Sequence, residues 1–466
     1  MSQAHVFDPT ILREYDIRGI VGETLHAADA SAIGRAFGTI VRREPGDGPG
    51  RRRVALARDG RLSSPELAAA LADGLTASGV DVLDIGLAPT PMLYFAVHEL
   101  GADGGIQLTG SHNPPDYNGF KMMLGKASFF GQRIQDLGRI AAAGDLLDGS
   151  GERHAVDLFE RYIDRLVADY HGVRPIDVVW DAGNGVAGPA MAALSRRLPG
   201  RHQLLYAEVD GHFPNHHPDP TVAENLVDLI EAVRAGGFEI GIGFDGDGDR
   251  IGVVDGEGRI IWGDQILQIL ADDVLERRPG ATIIADVKAS QALFDHVAAK
   301  GGRPLMWKTG HSLIKSKMVE TEAPLAGEMS GHIFYKDGFY GHDDALYVAI
   351  RLLDILSRGE RTLAERKDAM PPLFNTPELR FDCREDQKFP VIEAVKAELA
   401  RTGAEVNDTD GVRVRQGDGW WLLRASNTQA VLVGRAEALS PEGLEACKTA
   451  LTEALAKAGL EVEIPA

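Results

Sequence analysis

Short apolar segments alternate with amphipathic segments along the first three quarters of this 466-residue chain. Strands are predicted at residues 54–57, 81–85 and 105–108, where apolar residues form short runs. Helices are predicted to begin at Ser64-Pro65-Glu66 and at Thr90-Pro91, because a small polar residue followed by proline is typical of a helix N-terminus. Strand–helix alternation of this kind restricts the chain to the α/β class, with helices covering largely parallel strands.

The same alternation recurs twice in the middle of the chain. Strands are predicted at 176–180 and 238–242 around a helix at 226–233, and again at 282–285 and 304–307, with helices beginning near Ser290 and Ser312. Asn118-Gly119 is interpreted as a hairpin turn that precedes a strand at 120–124. With breaks near Gly151 and Gly256, we expect three similar β/α domains with mixed sheets, at residues 1–152, 153–256 and 257–370.

The last quarter of the chain has a different pattern. Trp420-Trp421 and the run at 430–434 predict antiparallel strands, and helices are predicted at about 389–400 and 441–458. Met370-Pro371-Pro372 interrupts the chain before this section, because proline cannot continue a helix or a strand ladder. We therefore expect a fourth, α+β domain at residues 371–466.

Charge and cysteine content exclude some classes of partner. The 69 acidic and 49 basic residues give a net charge of −20, which argues against nucleic acid but not against a small anionic substrate. Cys383 and Cys447 are far apart and have no metal-binding spacing, which suits a reducing compartment. With no signal-like N-terminus and no apolar run long enough to cross a bilayer, we predict a cytoplasmic protein with no membrane partner.

The segment TGSHNP at residues 109–114 directly follows the predicted strand at 105–108. It places Ser111 and His112 on a tight turn at the carboxyl end of a strand, where open α/β sheets bind ligands. A hydroxyl presented there is available for phosphorylation or acylation. An ordinary polar turn has the same composition, so the segment alone leaves both interpretations open.

Three carboxylates alternate with glycine at Asp245, Asp247 and Asp249, after the predicted strand at 238–242. They can converge on one hard cation, and magnesium suits a site that keeps positions open for phosphate oxygens. A calcium-binding EF-hand loop is excluded, because its required glycine and glutamate are replaced by Arg250 and Gly256. A solvated acidic turn is the alternative, which the flanking apolar strands disfavour.

Two later loops combine polar groups that suit sugar phosphates. Glu328, Ser330 and His332 lie within six residues, and a loop of this kind can bind neighbouring sugar hydroxyls. An arginine fork with hydroxyl and amide donors, as in a phosphate-binding nest, occurs at Arg424, Ser426, Asn427 and Thr428. An ordinary surface loop and a polar turn, respectively, remain the alternatives.

Taken together, these segments resemble the α-D-phosphohexomutase family and are most similar to its bacterial phosphomannomutase/phosphoglucomutase branch. The resemblance covers nearly the whole chain, since a serine loop, a metal loop, a sugar-binding loop and a phosphate-binding loop occur in the family's order. It implies four domains around a central cleft. The chain departs from the family at Gln429-Ala430, where relatives more often have threonine or glutamate and then proline, which implies a less stiff phosphate loop.

The resemblance also implies roles for individual residues. Ser111 is expected to be phosphorylated in the resting enzyme, and its phosphate is expected to hold one Mg²⁺ per chain with Asp245, Asp247 and Asp249. Glu328 and Ser330 are expected to bind sugar hydroxyls, while the phosphate that is not transferred is expected at Arg424, Ser426, Asn427 and Thr428. The residues expected to line the cleft are Tyr15, Arg18, Lys121, Arg250, Lys288, His311 and His332.

The implied reaction moves a phosphoryl group between Ser111 and either end of a hexose phosphate. A hexose 1,6-bisphosphate would form, turn end for end, and return its other phosphoryl group; added bisphosphate would act as an activator. Candidates for moving the hydroxyl proton are Lys121, Arg18 and His332, and His112 is expected to be catalytic beside Ser111. A preference for mannose or glucose stays open, as does a monomer or a weak homo-oligomer. The alternatives are a metal-dependent phosphatase and a non-catalytic protein that binds magnesium or a sugar phosphate.

Overall fold

The structure, a computed structural model, describes residues 4–44, 51–427 and 429–464. The first of its four sheets has the strand order β1-β5-β4-β2-β3-β7, with β6 paired to β5. Strands β2, β3, β4 and β7 pair in parallel, whereas β5 runs antiparallel to β4 and β1. The elements are β1 (Ile17–Ile20), α1 (Ala27–Arg43), β2 (Arg53–Arg58), α2 (Ser64–Ala77), β3 (Asp81–Leu87), α3 (Thr90–Glu99), β4 (Gly104–Leu108), β5 (Tyr117–Leu124), β6 (Ala127–Phe129), α4 (Gln132–Ala143) and β7 (Arg153–Ala155).

The second sheet has the order β12-β11-β10-β8-β9. Strands β8, β9 and β10 are parallel, and β11 returns antiparallel to β10. A 3-10 turn at Ala223–Leu226 precedes the second of two covering helices. The elements are α5 (Phe159–Val167), β8 (Val178–Asp181), α6 (Gly188–Ser195), β9 (His202–Leu205), α7 (Val227–Gly236), β10 (Ile240–Phe244), β11 (Ile251–Asp255) and β12 (Ile260–Ile261).

The third sheet repeats this arrangement in the order β14-β13-β15-β16. Strands β13, β14 and β15 are parallel, and β16 returns antiparallel to β15. The elements are α8 (Gly263–Arg277), β13 (Thr282–Asp286), α9 (Gln291–Ala299), β14 (Arg303–Trp307), α10 (His311–Thr321), β15 (Leu325–Gly327), β16 (Ile333–Tyr335), α11 (Ala345–Arg358) and α12 (Leu363–Asp368).

The fourth sheet is antiparallel, with the order β17-β22-β21-β20-β19 and β18 paired to β22. Helices α13 and α14 pack against its central strands. The elements are β17 (Phe374–Asn375), β18 (Leu379–Asp382), α13 (Lys388–Thr402), β19 (Val406–Asn407), β20 (Val412–Gln416), β21 (Gly419–Ala425), β22 (Val431–Ala438) and α14 (Pro441–Lys457). The predicted fold class, three mixed β/α units and a final α+β unit, is therefore confirmed.

Equivalent loops in the first three sheets connect a parallel strand to its antiparallel neighbour. They join β4 to β5, β10 to β11 and β15 to β16, and they contain the predicted serine, metal and sugar loops in that order. In the fourth sheet, the loop between β21 and β22 contains the predicted phosphate loop. The fold thus uses one kind of connection, a hairpin at a sheet's end, for all four motifs.

The predicted hairpin turn at Asn118-Gly119 is wrong. Both residues lie within β5, where they pair with Gly19 and Arg18 of β1, and the turn lies earlier, between Leu108 and Tyr117. The Asn-Gly dipeptide favours a turn locally, but pairing with β1 keeps both residues in an extended strand. The Asn118 side chain instead donates hydrogen bonds to Ser63 Oγ (2.9 Å) and Ser64 Oγ (3.0 Å).

The buried apolar side chains divide unequally between the sheets. One cluster runs from Ala55 of β2 to Leu363 of α12 and includes side chains from all three mixed sheets. The fourth sheet has its own core between Leu379 and Leu455, and a small cluster of Val287, Trp420 and Leu422 connects it to the third. None of the helices in the described ranges combines the length and apolar character needed to cross a bilayer.

Candidate functional site

Ser111 lies in the loop between β4 and β5 and is only 2% exposed. Its φ of +50° places it in the left-handed region, which is uncommon for a residue with a side chain. Its backbone N–H donates to Thr109 Oγ1 at 2.8 Å. Its hydroxyl donates to Asp245 Oδ2 at 2.9 Å and lies 3.2 Å from His112 Nδ1. The first sheet's serine therefore touches the second sheet's acidic loop.

The acidic loop between β10 and β11 is organised by Asp245. Its Oδ1 accepts backbone N–H bonds from Gly248, Asp249 and Arg250 at 3.0–3.1 Å, which closes the loop around the carboxylate. Oxygens of Asp245, Asp247 and Asp249 lie within 4.8 Å of one another, and all three residues are buried. Asp247 Oδ1 is buried without a hydrogen-bond partner among the described residues, as expected of an oxygen placed to ligate a cation.

Lys121 of β5 neutralises part of this charge. Its Nζ lies 2.8 Å from Asp247 Oδ2 and 2.5 Å from Asp249 Oδ2, and Thr90 Oγ1 also donates to Asp247 Oδ2. Burial opposes the charge on Lys121, but Asp247 and Asp249 outweigh it and raise the pKa of the amine. Burial, together with the two neighbouring carboxylates, raises the pKa of Asp245. The three carboxylates carry more negative charge than the one ammonium offsets. The site therefore stays negative and offers oxygen ligands, which can hold a hard divalent cation.

The loop between β15 and β16 meets the acidic loop through His332. His332 Nε2 lies 3.3 Å from Asp249 Oδ1, and its Nδ1 lies 3.1 Å from Glu328 Oε2 and 3.1 Å from Ser330 Oγ. Burial opposes protonation, but Asp249 and Glu328 raise the pKa of His332 to about 9. Arg250 and His332 also form an antiparallel backbone bridge, so the second and third sheets are joined directly at the site.

Tyr15 connects the start of the chain to the third and fourth sheets. Its hydroxyl donates to the Thr309 carbonyl at 2.9 Å and accepts from Asn427 Nδ2 at 2.5 Å. The ring centroids of Tyr15 and His311 are 6.0 Å apart, and those of His311 and His332 are 5.7 Å apart. Burial lowers the pKa of His311, so this imidazole is neutral at pH 7.

The phosphate loop between β21 and β22 lies beside the same segment. Arg424 Nε donates to Asp410 Oδ2 at 2.8 Å, and that oxygen also accepts from the Thr309 N–H at 3.0 Å. Gln429 N–H donates to Ser426 Oγ at 3.2 Å. The remaining predicted member of this loop, Thr428, lies outside the described residues.

Two other predicted cations pair with carboxylates, and a third, Arg250, has its Nε 3.3 Å from His332 Nε2. Lys288 Nζ donates to Glu378 Oε2 at 2.9 Å, and Lys288 is the main reason why the pKa of Glu378 is lowered to about 2. Arg18 of β1 pairs with Asp16. Arg250 is desolvated, but Asp219, Asp245 and Asp249 raise its pKa.

Contacts therefore connect most of the predicted residues into one site. A continuous series of them joins the serine, metal and sugar loops through Ser111, Asp245, Asp249, His332 and Glu328, and Lys121 bonds to it at Asp249. Tyr15 joins the phosphate loop to this group, because it bonds to Asn427 and its ring lies against His311, which lies against His332. Lys288 is held separately, at the boundary between the third and fourth sheets.

Sequence reasoning missed several buried residues that hold the site. Asp59 and Arg61 follow β2 and contact the serine loop, and Thr90 contacts Asp247. Asp343 pairs with Lys315 at 2.9 Å and lies within 4.8 Å of Asp249 and His332. A signal for Asp59 and Arg61 was present, because β2 and β4 are parallel neighbours whose carboxyl ends meet at one edge of the sheet.

Comparison with known proteins identifies the family. Family models of phosphoglucomutase/phosphomannomutase match along the chain: alpha/beta/alpha domains I, II and III at residues 9–144, 160–258 and 262–374, and the C-terminal domain at 378–454. The chain belongs to the α-D-phosphohexomutase family. The resemblance inferred from the four loops is thereby confirmed.

Relatives of this family match over nearly their full length. The chain is 46% identical over 466 residues to a phosphomannomutase/phosphoglucomutase of Pseudomonas aeruginosa, covering all of this chain and 99% of the relative. It is 47% identical over 440 residues to a phosphoglucomutase of Neisseria gonorrhoeae, covering 93% and 94%. A crystal structure of a phosphoglucomutase/phosphomannomutase family protein from Burkholderia thailandensis superposes with a TM-score of 0.92 at 47% identity, covering 99% of this chain and all of that one.

Proposed function

We propose that the protein is a phosphohexomutase that interconverts hexose 1-phosphate and hexose 6-phosphate, with mannose or glucose as the sugar. Family membership and the names of the similar proteins support this reaction. The observation that carries the proposal is the contact between Ser111 Oγ and Asp245 Oδ2 at 2.9 Å. A serine hydroxyl beside a buried acidic cluster is suited to carry a phosphoryl group next to a divalent cation.

Asp245, Asp247, Asp249 and the phosphorylated Ser111 would hold one Mg²⁺. The oxygen-only ligand set and the buried, unpartnered Asp247 Oδ1 fit this ion. When bound, Mg²⁺ offsets negative charge on the transferring phosphoryl oxygens. Lys121, Arg250 and Arg18 add fixed positive charge from the protein, because phosphoryl transfer depends mainly on positioning and charge stabilisation.

In the first half-reaction, the bond between Ser111 Oγ and phosphorus breaks and a bond from a substrate hydroxyl oxygen to phosphorus forms. The hydroxyl proton leaves the sugar, and one proton is returned to Ser111 Oγ. A guanidinium does not deprotonate in proteins, and Lys121 is held as a cation by two carboxylates. We therefore assign the imidazole of His112, beside Ser111 Oγ, as the group that accepts a proton, and His332, whose pKa is raised to about 9, as the group that donates one.

The remaining residues would hold the substrate. Glu328 and Ser330 would bind sugar hydroxyls, with Tyr15, Lys288 and His311 close by. The phosphate that is not reacting would be held by Arg424, Ser426, Asn427 and Thr428. Hexose 1,6-bisphosphate would be both the intermediate and the activator, and a hinge near Pro371-Pro372 would let the fourth domain open and close.

The organisation of the protein follows from the same proposal. We propose domain limits at residues 1–152, 153–256, 257–370 and 371–466, each containing one of the four loops. We also propose a cytoplasmic enzyme, a monomer or a weak homo-oligomer, with hexose phosphates as its partners and with neither nucleic acid nor membrane.

The decisive test replaces Ser111 with alanine. In a coupled assay with Mg²⁺ and a trace of glucose 1,6-bisphosphate, we expect Ser111→Ala to lower kcat by about 10³-fold or more, since the only phosphoryl carrier is lost. Intact-protein mass spectrometry should show one phosphate on the wild type and none on the variant. Near wild-type turnover of Ser111→Ala would contradict the proposal.

A substrate panel separates the alternatives. Mannose 1-phosphate, glucose 1-phosphate and glucosamine 1-phosphate would be compared with the same enzyme preparation, while released inorganic phosphate is measured in parallel. Isomerisation of the first two is expected. Steady phosphate release without isomerisation would indicate a phosphatase, and binding with neither reaction would indicate a non-catalytic sugar-phosphate-binding protein.

A further inference from the structure

Arg61, in the loop after β2, is a buried arginine. It is 1% exposed. Four of its five N–H donors bond to carbonyls of residues 111–117, and the fifth bonds to Asp59. Its Nη2 donates to the carbonyls of Ser111 (2.8 Å) and Asn113 (2.6 Å), and its Nη1 donates to those of Pro114 (2.5 Å) and Tyr117 (3.0 Å). Its Nε donates to Asp59 Oδ2 at 3.2 Å. A guanidinium has five N–H donors, and here each has an acceptor.

Asp59 completes the same structure from the other side. Its Oδ2 also accepts from Thr109 Oγ1 at 2.8 Å and from the Gly110 N–H at 3.1 Å. A β-carbon at Gly110 would lie 2.3 Å from Arg61 Nε, so only glycine permits this approach. Asp59 and Arg61 therefore hold the serine loop on both sides of Ser111.

The backbone segment that Asp59 and Arg61 hold includes a strained residue, Ser111. Ser111 has a φ of +50°, and a non-glycine residue keeps this conformation only where its surroundings determine it. Its carbonyl lies between Arg61 and the metal loop, where a β-carbon at Gly246 would come within 2.4 Å of it. The ring of Phe213, from the second domain, covers the guanidinium with its centroid 5.3 Å from Arg61 Cζ.

We propose that Arg61 is a positioning residue for phosphoryl transfer, which holds the backbone of residues 111–117 so that Ser111 Oγ faces Asp245. The inference rests on the proposed function and adds a residue to it. Among the residues that the structure describes, none of Arg61's hydrogen bonds reaches the sugar loop or the phosphate loop. Loss of the arginine should therefore slow transfer without weakening substrate binding.

Arg61→Lys is the sharpest variant. Lysine keeps the charge, but its three donors sit on one atom and cannot span four carbonyls in a plane. We expect kcat to fall by about 100-fold, because a small misplacement of reacting groups has an effect of this size. KM for glucose 1-phosphate should stay within about threefold of wild type. Hydrogen exchange at the amides of residues 110–117 should become faster.

Arg351→Lys is the matched control. Arg351 is also buried and bonds to Asp169 O and Asp273 Oδ2, but it lies in α11 and makes no contact with the serine loop. It should lower the melting temperature while leaving kcat and exchange at 110–117 unchanged. Asp59→Asn is the second test, in case Arg61→Lys does not fold, and the same pattern of low kcat, constant KM and faster exchange is expected.

Two results would overturn the inference. One is a kcat of Arg61→Lys within threefold of wild type, and the other is a fall in kcat matched by an equal rise in KM. Failure of the proposed function is distinguishable, because the wild type itself would then neither isomerise hexose phosphates nor carry phosphate on Ser111. Hydrogen exchange still decides the role of Arg61 in that case, and unchanged protection of residues 110–117 would refute it.

Discussion

The proposed phosphoryl-transfer region (Ser111, Lys121, Asp245, Asp247 and Asp249) and the proposed phosphate loop (residues 424–429) are held in different ways. The first lies where two sheets meet, over a core cluster that is continuous through all three mixed sheets. The second extends from a sheet with a separate core, joined to the rest by a small apolar cluster. Its Gln429 and the adjacent Ala430 are exposed although its Arg424 and Ser426 are buried, whereas all five residues of the first region are buried.

Under the proposed function, this difference would divide the work between the two regions. Transfer between Ser111 and a sugar hydroxyl requires fixed distances, and the contacts around Ser111 and Asp245 fix them in several independent ways. Holding either phosphate of a substrate that must turn requires a contact that can be released. Contacts such as Tyr15–Asn427 and Lys288–Glu378 are polar, and the apolar cluster beside them is small, so they can be broken without opening a large apolar core.

The largest expected effect in this comparison comes from a substitution in the phosphoryl-transfer region, at Lys121. Lys121→Met removes the ammonium between Asp247 and Asp249, and we expect kcat to fall by about 10²–10³-fold. Leaving buried carboxylates unpaired should also lower the free energy of unfolding by about 3 kcal/mol. Lys367→Met is the control, since this lysine bonds to Ile260 O and Gln265 Oε1 elsewhere. Comparable losses of kcat in both variants would contradict the assignment.

An intermediate effect is expected in the phosphate loop, and it should change KM rather than kcat. Arg424→Met removes a charged donor to a phosphate, which is worth about 1.5–3 kcal/mol. KM for glucose 1-phosphate should rise by roughly 10–100-fold while kcat changes little. The exposed Arg415 of neighbouring β20 provides Arg415→Met as a control with unchanged kinetics. A fall in kcat at constant KM would show that the two regions do not divide the work in this way.

The smallest effect concerns pH and the core shared by the mixed sheets. Burial, with help from His342 and Lys126, lowers the pKa of His98 to about 4. Because the folded state favours neutral His98, its stability contribution is complete above pH 6.5 and is lost as pH falls toward 4. After allowance for partial exposure, we expect this loss to be about 1 kcal/mol.

Chemical denaturation of His98→Phe between pH 7 and pH 4 measures this contribution. The variant should show a shallower decline in unfolding free energy than wild type. The exposed His154, on β7, provides His154→Phe as a control that should keep the wild-type slope. If the unfolding free energies of wild type and His98→Phe declined equally between pH 7 and pH 4, His98 would not be a source of the pH dependence.

The sequence predicted the strand–helix order and the four loops because both are local signals. Ser64-Pro65 and Thr90-Pro91 begin helices as expected, and the three aspartates of the metal loop, which alternate with glycine, converge within 4.8 Å of one another. Asn118-Gly119 failed because pairing with β1, a contact between distant segments, overrides a dipeptide's turn preference.

The residues that support the site were not predictable in the same way. Arg61 bonds to carbonyl oxygens, which every residue has, so no motif marks its partners. Lys315 and Asp343 pair across 28 positions and meet only once α10 packs beside the segment between β16 and α11. The motifs identify the residues that are proposed to contact the substrate. The residues that position them depend on tertiary packing, which no motif records.

The backbone bridge between Arg250 and His332 has a consequence for substrate choice. It joins the carboxylate loop to the sugar loop directly. If the proposed intermediate turns end for end against these loops, they would have to accept the ring in two opposite orientations. Acceptors joined in this way would match neither orientation closely, and the enzyme would then tolerate hexoses that differ at a single carbon.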